Sequence, residues 1–205
     1  DPNTGVGDPT PAFTYCLNLA EVEVDAATGK TTVLRFTCVS DVGKVGNIDA
    51  VNGQAFGGIS HAIGFALGEN YDDVKKHTNI ASSGVPYIET IPDEIEAIYY
   101  ERPDEAGPFG SSGASEGFQS SGHMAVLNAI YNACGVRVHE MPATPAKVKA
   151  GIDTLAAGGK IEPPKKYFLG SDLYEELENI KANPVKVGPE DYFIPLGGAA
   201  GERFF

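Results

Sequence analysis

Two apolar, β-branched runs, Phe13 to Val24 and Thr31 to Ser40, flank the segment Asp25-Ala-Ala-Thr-Gly29-Lys30. A connection this short joins antiparallel neighbours, and Gly29 stands where the turn needs a positive φ. The chain therefore contains a β-hairpin. A hairpin is stable in water only when another element covers one of its faces, so the rest of the chain has to supply that cover.

Asp41-Val-Gly43-Lys-Val-Gly46-Asn47 breaks the second run. From about Ile48 to Leu67 the apolar spacing turns helical, with Ala55, Ile59, Ala62, Ile63 and Ala66 on one face. Gly53, Gly57, Gly58 and Gly64 interrupt this helix. Each costs roughly 1 kcal/mol relative to alanine. The helix is therefore expected to be approached closely, by another helix or by a ligand. Residues 68–93 are polar and irregular, and Ile95 to Tyr100 reads as a short strand. A long loop, 101–117, comes next. After it an amphipathic helix is predicted, with Met124, Leu127, Ala129, Ile130 and Ala133 inward and Gly135 as its C-terminal cap. Val136-Arg-Val138 reads as a short strand. Thr144-Pro145 opens another helix, reaching about Leu155, with the hydroxyl capping and Pro at the first helical position. Gly158-Gly159 marks a boundary, and residues 160–205 change character to prolines, charges and one helical patch over 172–180. Residues 1–11 read as loop. The mixture predicts an α+β fold: a hairpin-containing mixed sheet with packed helices.

The 205 residues, 42% of them hydrophobic, suffice for one domain of ordinary size with a tail. No apolar run approaches the ~18 residues of a membrane-spanning helix. No basic segment followed by an apolar stretch opens the chain, so neither a membrane span nor a signal peptide is expected. A formal net charge of −13 repels nucleic acid and anionic lipid, and its plain reading is solubility. The cysteines, Cys16, Cys38 and Cys134, form no C-x-x-C pair, so metal or iron–sulfur ligation by this chain is not expected. Cys16 and Cys38 lie in the strand runs and read as small core residues. Nothing requires an oxidising compartment, and a cytoplasmic setting fits best.

Chemistry concentrates at Gly113-Ala-Ser115-Glu116-Gly117, which has two readings. As G-x-S-x-G it would be a nucleophile elbow with Ser115 attacking, and that needs a strand leading straight in. Gly107 to Ser112 is Gly/Ser/Pro loop instead, and the only acid between Ser115 and either later histidine, His123 or His139, is the adjacent Glu116. The second reading puts the weight on Glu116, a carboxylate at the end of a Gly-rich loop that can face a cleft and act as a base. The plainer role for Glu116 is to sit at a helix N-terminus, where its charge meets the dipole.

The stretch Gly107-Pro-Phe-Gly-Ser-Ser-Gly-Ala-Ser-Glu116 resembles the glutamate loop of the xanthine oxidase family of molybdenum hydroxylases, above all that of bacterial aldehyde oxidoreductases. There the loop runs roughly G-P-F-G-x-S-G-x-G-E. Further pieces follow in family order. Ala20 to Val33 is similar to the family hairpin, Asp41-Val-Gly43 to its D-x-G, and Asn52-Gly53-Gln54-Ala-Phe-Gly57-Gly58 to its G-Q-x-x-G-G helix. Asn128-Ala-Ile130, Gly135-Val-Arg137 and Pro142 to Val148 resemble the closing segments.

This resemblance implies that residues 1–157 are the C-terminal part of a molybdopterin-binding domain, with 158–205 as an extension. It implies Glu116 as the general base at a molybdenum centre that oxidises an aldehyde or hydroxylates a nitrogen heterocycle with water. It assigns Gln54, Gly53 and Ser115 to the cofactor, a molybdopterin, as a dinucleotide, carrying molybdenum. No metal ligand is implied in this chain. Iron–sulfur clusters are expected on other domains or subunits, and the remainder of the hydroxylase, itself a homodimer, is the expected partner. Two departures stand out. Ser115 replaces a frequent Gly, and Gly117-Phe118 replaces Pro or Leu-Pro. The competing reading is a non-catalytic acidic α+β interaction module, in which Gln54 and Glu116 would share no cavity.

Overall fold

The computed structural model describes residues 12–163 and, beyond them, 175, 178–179 and 181–183. The chain divides into two compact units, 1–161 and 162–205. The sheet and the helices that cover it all belong to the first. The expected loop over 1–11 lies outside the described residues, as does most of the helical patch expected over 172–180.

The hairpin forms as β1 (Tyr15–Val24) and β2 (Thr31–Asp41). The strands are antiparallel, with Cys16 opposite Ser40, Asn18 opposite Cys38 and Ala20 opposite Phe36. Gly29 has φ 76 as the turn requires, and Asp25 Oδ1 accepts from the Ala27 amide at 2.8 Å. The chain then runs through helix α1 (Ile48–Leu67) and returns as β3 (Glu94–Tyr100), which pairs parallel to β2. The sheet order is β1-β2-β3, and the sheet is mixed as the pattern predicts. A helix-bearing crossover is the connection that a parallel pair needs.

Alternation decides the two faces of the sheet. Phe36, Cys38 and Ser40 point inward and are buried. They meet α1, whose Ala55, Ile59, Ala62, Ile63 and Ala66 are all buried, and α2 (Gly122–Cys134), which contributes Val126, Leu127 and Ile130. On the outer face Tyr15, Leu17 and Leu19 of β1 and Ile98 and Tyr100 of β3 stay exposed. α1 begins at Asn47, whose side chain accepts from the Ala50 amide. α2 ends at Gly135 in the left-handed conformation. α3 (Pro145–Ala156) opens at Thr144, whose hydroxyl accepts from Lys147 N.

Two expectations fail. Met124 and Ala133 are exposed, and Val126 takes the inward position. The face is set by Gly122, where a Cβ would lie 2.6 Å from Ala62 Cβ and 3.2 Å from Phe36 Cζ. That close approach turns the 122/126/130 stripe toward the core. Val136 to Val138 forms no strand. Val136 is buried against Gly151 of α3, so apolar contact with α3 rather than sheet pairing holds it.

Candidate functional site

The loop ending at Glu116 is fastened to the end of β2. Lys44 N donates to Gly110 O at 2.7 Å, and Ser112 N donates to Val42 O at 2.9 Å. Ser111 Oγ donates to Lys44 O at 2.5 Å. These bonds need Gly43. Its φ is +65, and a Cβ there would lie 2.5 Å from Gly110 O and 2.6 Å from Ser112 N. Asp41 Oδ1 accepts from the Gly43 amide and shapes the turn. Farther along, the Thr14 hydroxyl donates to Gly113 O, so the start of the hairpin grips the loop from its other side. Asp41, Gly43 and Thr14 thus support the loop. Phe109, at the loop's turn, has a positive φ of 55 and is 99% exposed.

Glu116 itself opens a short 3-10 turn, Glu116–Phe118. This corrects the expectation of a carboxylate at the mouth of the long helix, because α2 starts only at Gly122. The side chain of Glu116 is exposed and makes no hydrogen bond among the described residues. Phe118, two residues on, is buried and anchors the turn. Its Cβ would come within 2.7 Å of a Cβ on Gly58 of α1, so Gly58 is what lets the turn lie against the helix. His61 Nδ1 and Gln119 Oε1, 2.8 Å apart, make a second tie. His61 is therefore an exposed bridge to this turn.

Gln54 lies one helical turn before Gly58, on the same side of α1. It is exposed, and its amide has no hydrogen-bond partner among the described residues. A Cβ on Gly53 or Gly57 would meet nothing within 4 Å. Glycine thus serves two purposes in one helix: Gly58 admits the Glu116 turn, and Gly53 and Gly57 leave an open strip beside Gln54. Asn52 Oδ1 accepts from Tyr99 Oη at 2.8 Å, which pins the start of this strip to β3. Burial raises the Tyr99 phenol above its ordinary pKa, with the Cys38 thiol adding to the shift.

Ser115 is exposed, and no histidine bonds its hydroxyl. The loop entering it is not a strand, so the nucleophile elbow has neither its geometry nor its base. His123 sits in the first turn of α2 with Nδ1 buried and without a hydrogen-bond partner among the described residues. Among the described residues no group of three or more His, Cys, Asp or Glu side chains could hold a metal. A cavity of about 370 Å³ lies at the far end of α1, lined by Ile63, Leu67, Pro86 and Tyr87. Another, of about 380 Å³, is lined by Tyr15, Asp41, Arg102 and Ser112. Neither is lined by Gln54 or Glu116.

Known proteins match most of this chain. Residues 1–92, which include Gly53 and Gln54, match the model of a molybdopterin cofactor-binding domain. The chain is 44% identical over 148 residues to an aldehyde oxidoreductase of Megalodesulfovibrio gigas, covering 72% of this chain and 16% of that one. A stretch that long within 205 residues has to include Glu116. A probable hypoxanthine oxidase of Escherichia coli is 32% identical over 70% of this chain and 16% of its own. The crystal structure of the aldehyde oxidoreductase from Desulfovibrio desulfuricans superposes with a TM-score of 0.66 at 48% identity, covering 67% of this chain and 15% of that one. The chain belongs to the xanthine oxidase family of molybdenum hydroxylases and corresponds to part of its molybdopterin-binding region. It spans about 16% of the length of these two curated relatives. No helix among the described residues is long and apolar enough to cross a membrane.

Proposed function

We propose that this chain forms one wall of the molybdenum site of a larger hydroxylase, with Glu116 as the general base. The observation that carries the reading is the open, glycine-cleared strip of α1 beside the Glu116 turn, where an amide and a carboxylate both lack partners. An unpaired primary amide offers two donors and an acceptor, the pattern that the polar edge of a pterin can satisfy. Gly53 and Gly57 leave room for a flat ring system to approach the helix backbone. Ser115 would contribute its hydroxyl or amide from the loop side. These residues fit a molybdopterin dinucleotide. When bound, that group would supply the two-electron oxidation, with iron–sulfur clusters elsewhere in the enzyme taking the electrons onward.

The work left to this chain is proton chemistry. Glu116 accepts, on a carboxylate oxygen, the proton of the oxygen nucleophile that attacks the substrate carbon. The backbone ties from Gly110 and Ser112 to β2, with Thr14 and Gly58 on either side, hold that carboxylate in position. The substrate class is an aldehyde or a nitrogen heterocycle, and a homodimer of the whole enzyme is the proposed assembly. The bare outer face of the sheet, with Tyr15, Leu17, Leu19, Ile98 and Tyr100 exposed, supports a partner segment covering it.

Metal and pterin analysis of the intact protein tests the reading. Molybdenum and pterin should be present in equal amounts, and Gln54→Ala should lower both while the protein stays folded. An acidic interaction module without catalysis also leaves Gln54 and Glu116 without a shared cavity, and it predicts that neither molybdenum nor pterin is found.

A further inference from the structure

We propose that Cys16 and Cys38 are a redox pair that closes into a disulfide when a hydroperoxide oxidises Cys16. Nothing in this pair depends on the molybdenum reading. The two residues lie on neighbouring strands with their side chains on the same, helix-covered face. Their sulfurs are 3.3 Å apart and share a hydrogen bond. Asn18 Nδ2 donates to Cys16 Sγ at 3.6 Å and to Ser121 Oγ at 2.8 Å, so a second donor converges on the same sulfur. The thiols are unequal in the way a nucleophile and a resolving thiol should be. Cys16 is half-buried, so a small oxidant can reach it, whereas Cys38 is buried. The hydrogen bond from Cys38, outweighing partial burial and helped by Asn18, lowers Cys16 to about 7. The same hydrogen bond, with burial, pushes Cys38 up. Near neutral pH a substantial fraction of Cys16 is therefore thiolate, while Cys38 keeps its proton.

The chemistry balances with one hydroperoxide. The Cys16 thiolate attacks the terminal peroxide oxygen. An S–O bond forms, the O–O bond breaks, and the departing oxygen leaves with a proton as water or an alcohol, giving a sulfenic acid. Cys38 then loses its proton and its sulfur attacks Cys16 Sγ. The S–S bond forms, the S–O bond breaks, and water departs. Two thiols give up two electrons, and one peroxide takes them.

Register makes the bond a reversible one. Ser40, not Cys38, stands directly opposite Cys16, so the two cysteines are diagonal neighbours. Diagonal α-carbons are roughly 7–8 Å apart, beyond the usual range of about 4.4–6.8 Å for a disulfide. Closing the bond therefore requires a shift of β1 against β2, and a strained bond of this kind is readily reduced.

The test uses the intact protein, treated with stoichiometric hydrogen peroxide, then unfolded in denaturant, alkylated with iodoacetamide and digested with trypsin. Lys30 and Arg35 separate the two cysteines, so a disulfide joins the peptide ending at Lys30 to the peptide spanning 36–44. The expected result is that joined species, with alkylation lost at Cys16 and Cys38 together and regained after a thiol reductant. Cys134 should remain alkylatable. Cys38→Ser should instead leave Cys16 as a sulfenic acid that dimedone traps. The proposal is overturned if Cys16 and Cys38 both stay alkylatable after the peroxide treatment, or if Cys16 joins a thiol other than Cys38. The mapping on the wild-type protein needs no variant to fold.

Discussion

The two sides of α1 are built from the same small residues and have opposite fates. On one side Ala55, Gly58, Ile59 and Ala62 are buried, and Gly58 lies so close to Phe118 that any side chain would collide. On the adjacent strip Gly53 and Gly57 face open space, and the exposed Gln54 lies at the border between the two. The first side shows glycine used for packing. The second keeps the helix-propensity penalty of two glycines with no neighbour that requires it. A cost without a packing return within the described residues is what a binding surface looks like before its ligand or partner is added.

The largest effect expected from this comparison is at the residue that the packed side positions. Glu116→Gln keeps the size and removes the basicity. In the intact enzyme it should lower kcat by at least about 10²–10⁴-fold, the usual contribution of a general base, with molybdenum content unchanged. Ser115→Ala should retain most activity, so steady-state kinetics on the pair separates a base at 116 from a nucleophile at 115. An active Glu116→Gln beside a dead Ser115→Ala would reverse the assignment.

Alanine at the two kinds of glycine should act with opposite sign. Overpacking typically costs about 1–3 kcal/mol. At Gly58 the new Cβ meets Phe118 Cβ at 2.7 Å and the Gln119 amide at 3.0 Å, so Gly58→Ala should destabilise despite its better helix propensity. At Gly57 the methyl meets nothing, so Gly57→Ala should stabilise by roughly 1 kcal/mol and lower pterin content by standing on the open strip. Denaturation midpoints for both variants check the signs, and a destabilised Gly57→Ala would break the distinction between the two sides.

The smallest effect is expected at Gln54. It makes no hydrogen bond within the described residues, so Gln54→Ala should change stability by no more than about 0.5 kcal/mol, as for an ordinary surface substitution. A larger loss by chemical denaturation would mean that the amide supports the fold rather than a ligand.

Local signals carried far. The hairpin, α1 and α3 follow from alternation, helical spacing and the caps at Asn47 and Thr144, because each depends on residues close together in the chain. The inward face of α2 was legible only in part. Leu127 and Ile130 follow the pattern, but the tilt that buries Val126 and frees Met124 depends on Gly122 meeting Ala62 and Phe36, residues far away in sequence.

The candidate site divides the same way. A glycine-rich loop ending in Glu116 and a glycine-rich helix carrying Gln54 are visible in the sequence, since residue type alone marks them as unusual. What ties them together is not. The grip of Thr14 on Gly113, the bonding of Gly110 and Ser112 to the end of β2, and the seating of Phe118 on Gly58 each join segments dozens of residues apart. The sequence by itself determined which elements form and which residues have unusual backbone freedom, because propensity, capping and periodicity act over a few residues. Only the tertiary structure decided that Glu116 opens its own 3-10 turn against α1 and that Cys16 and Cys38 meet. Both depend on packing distance and strand register, which no local pattern encodes.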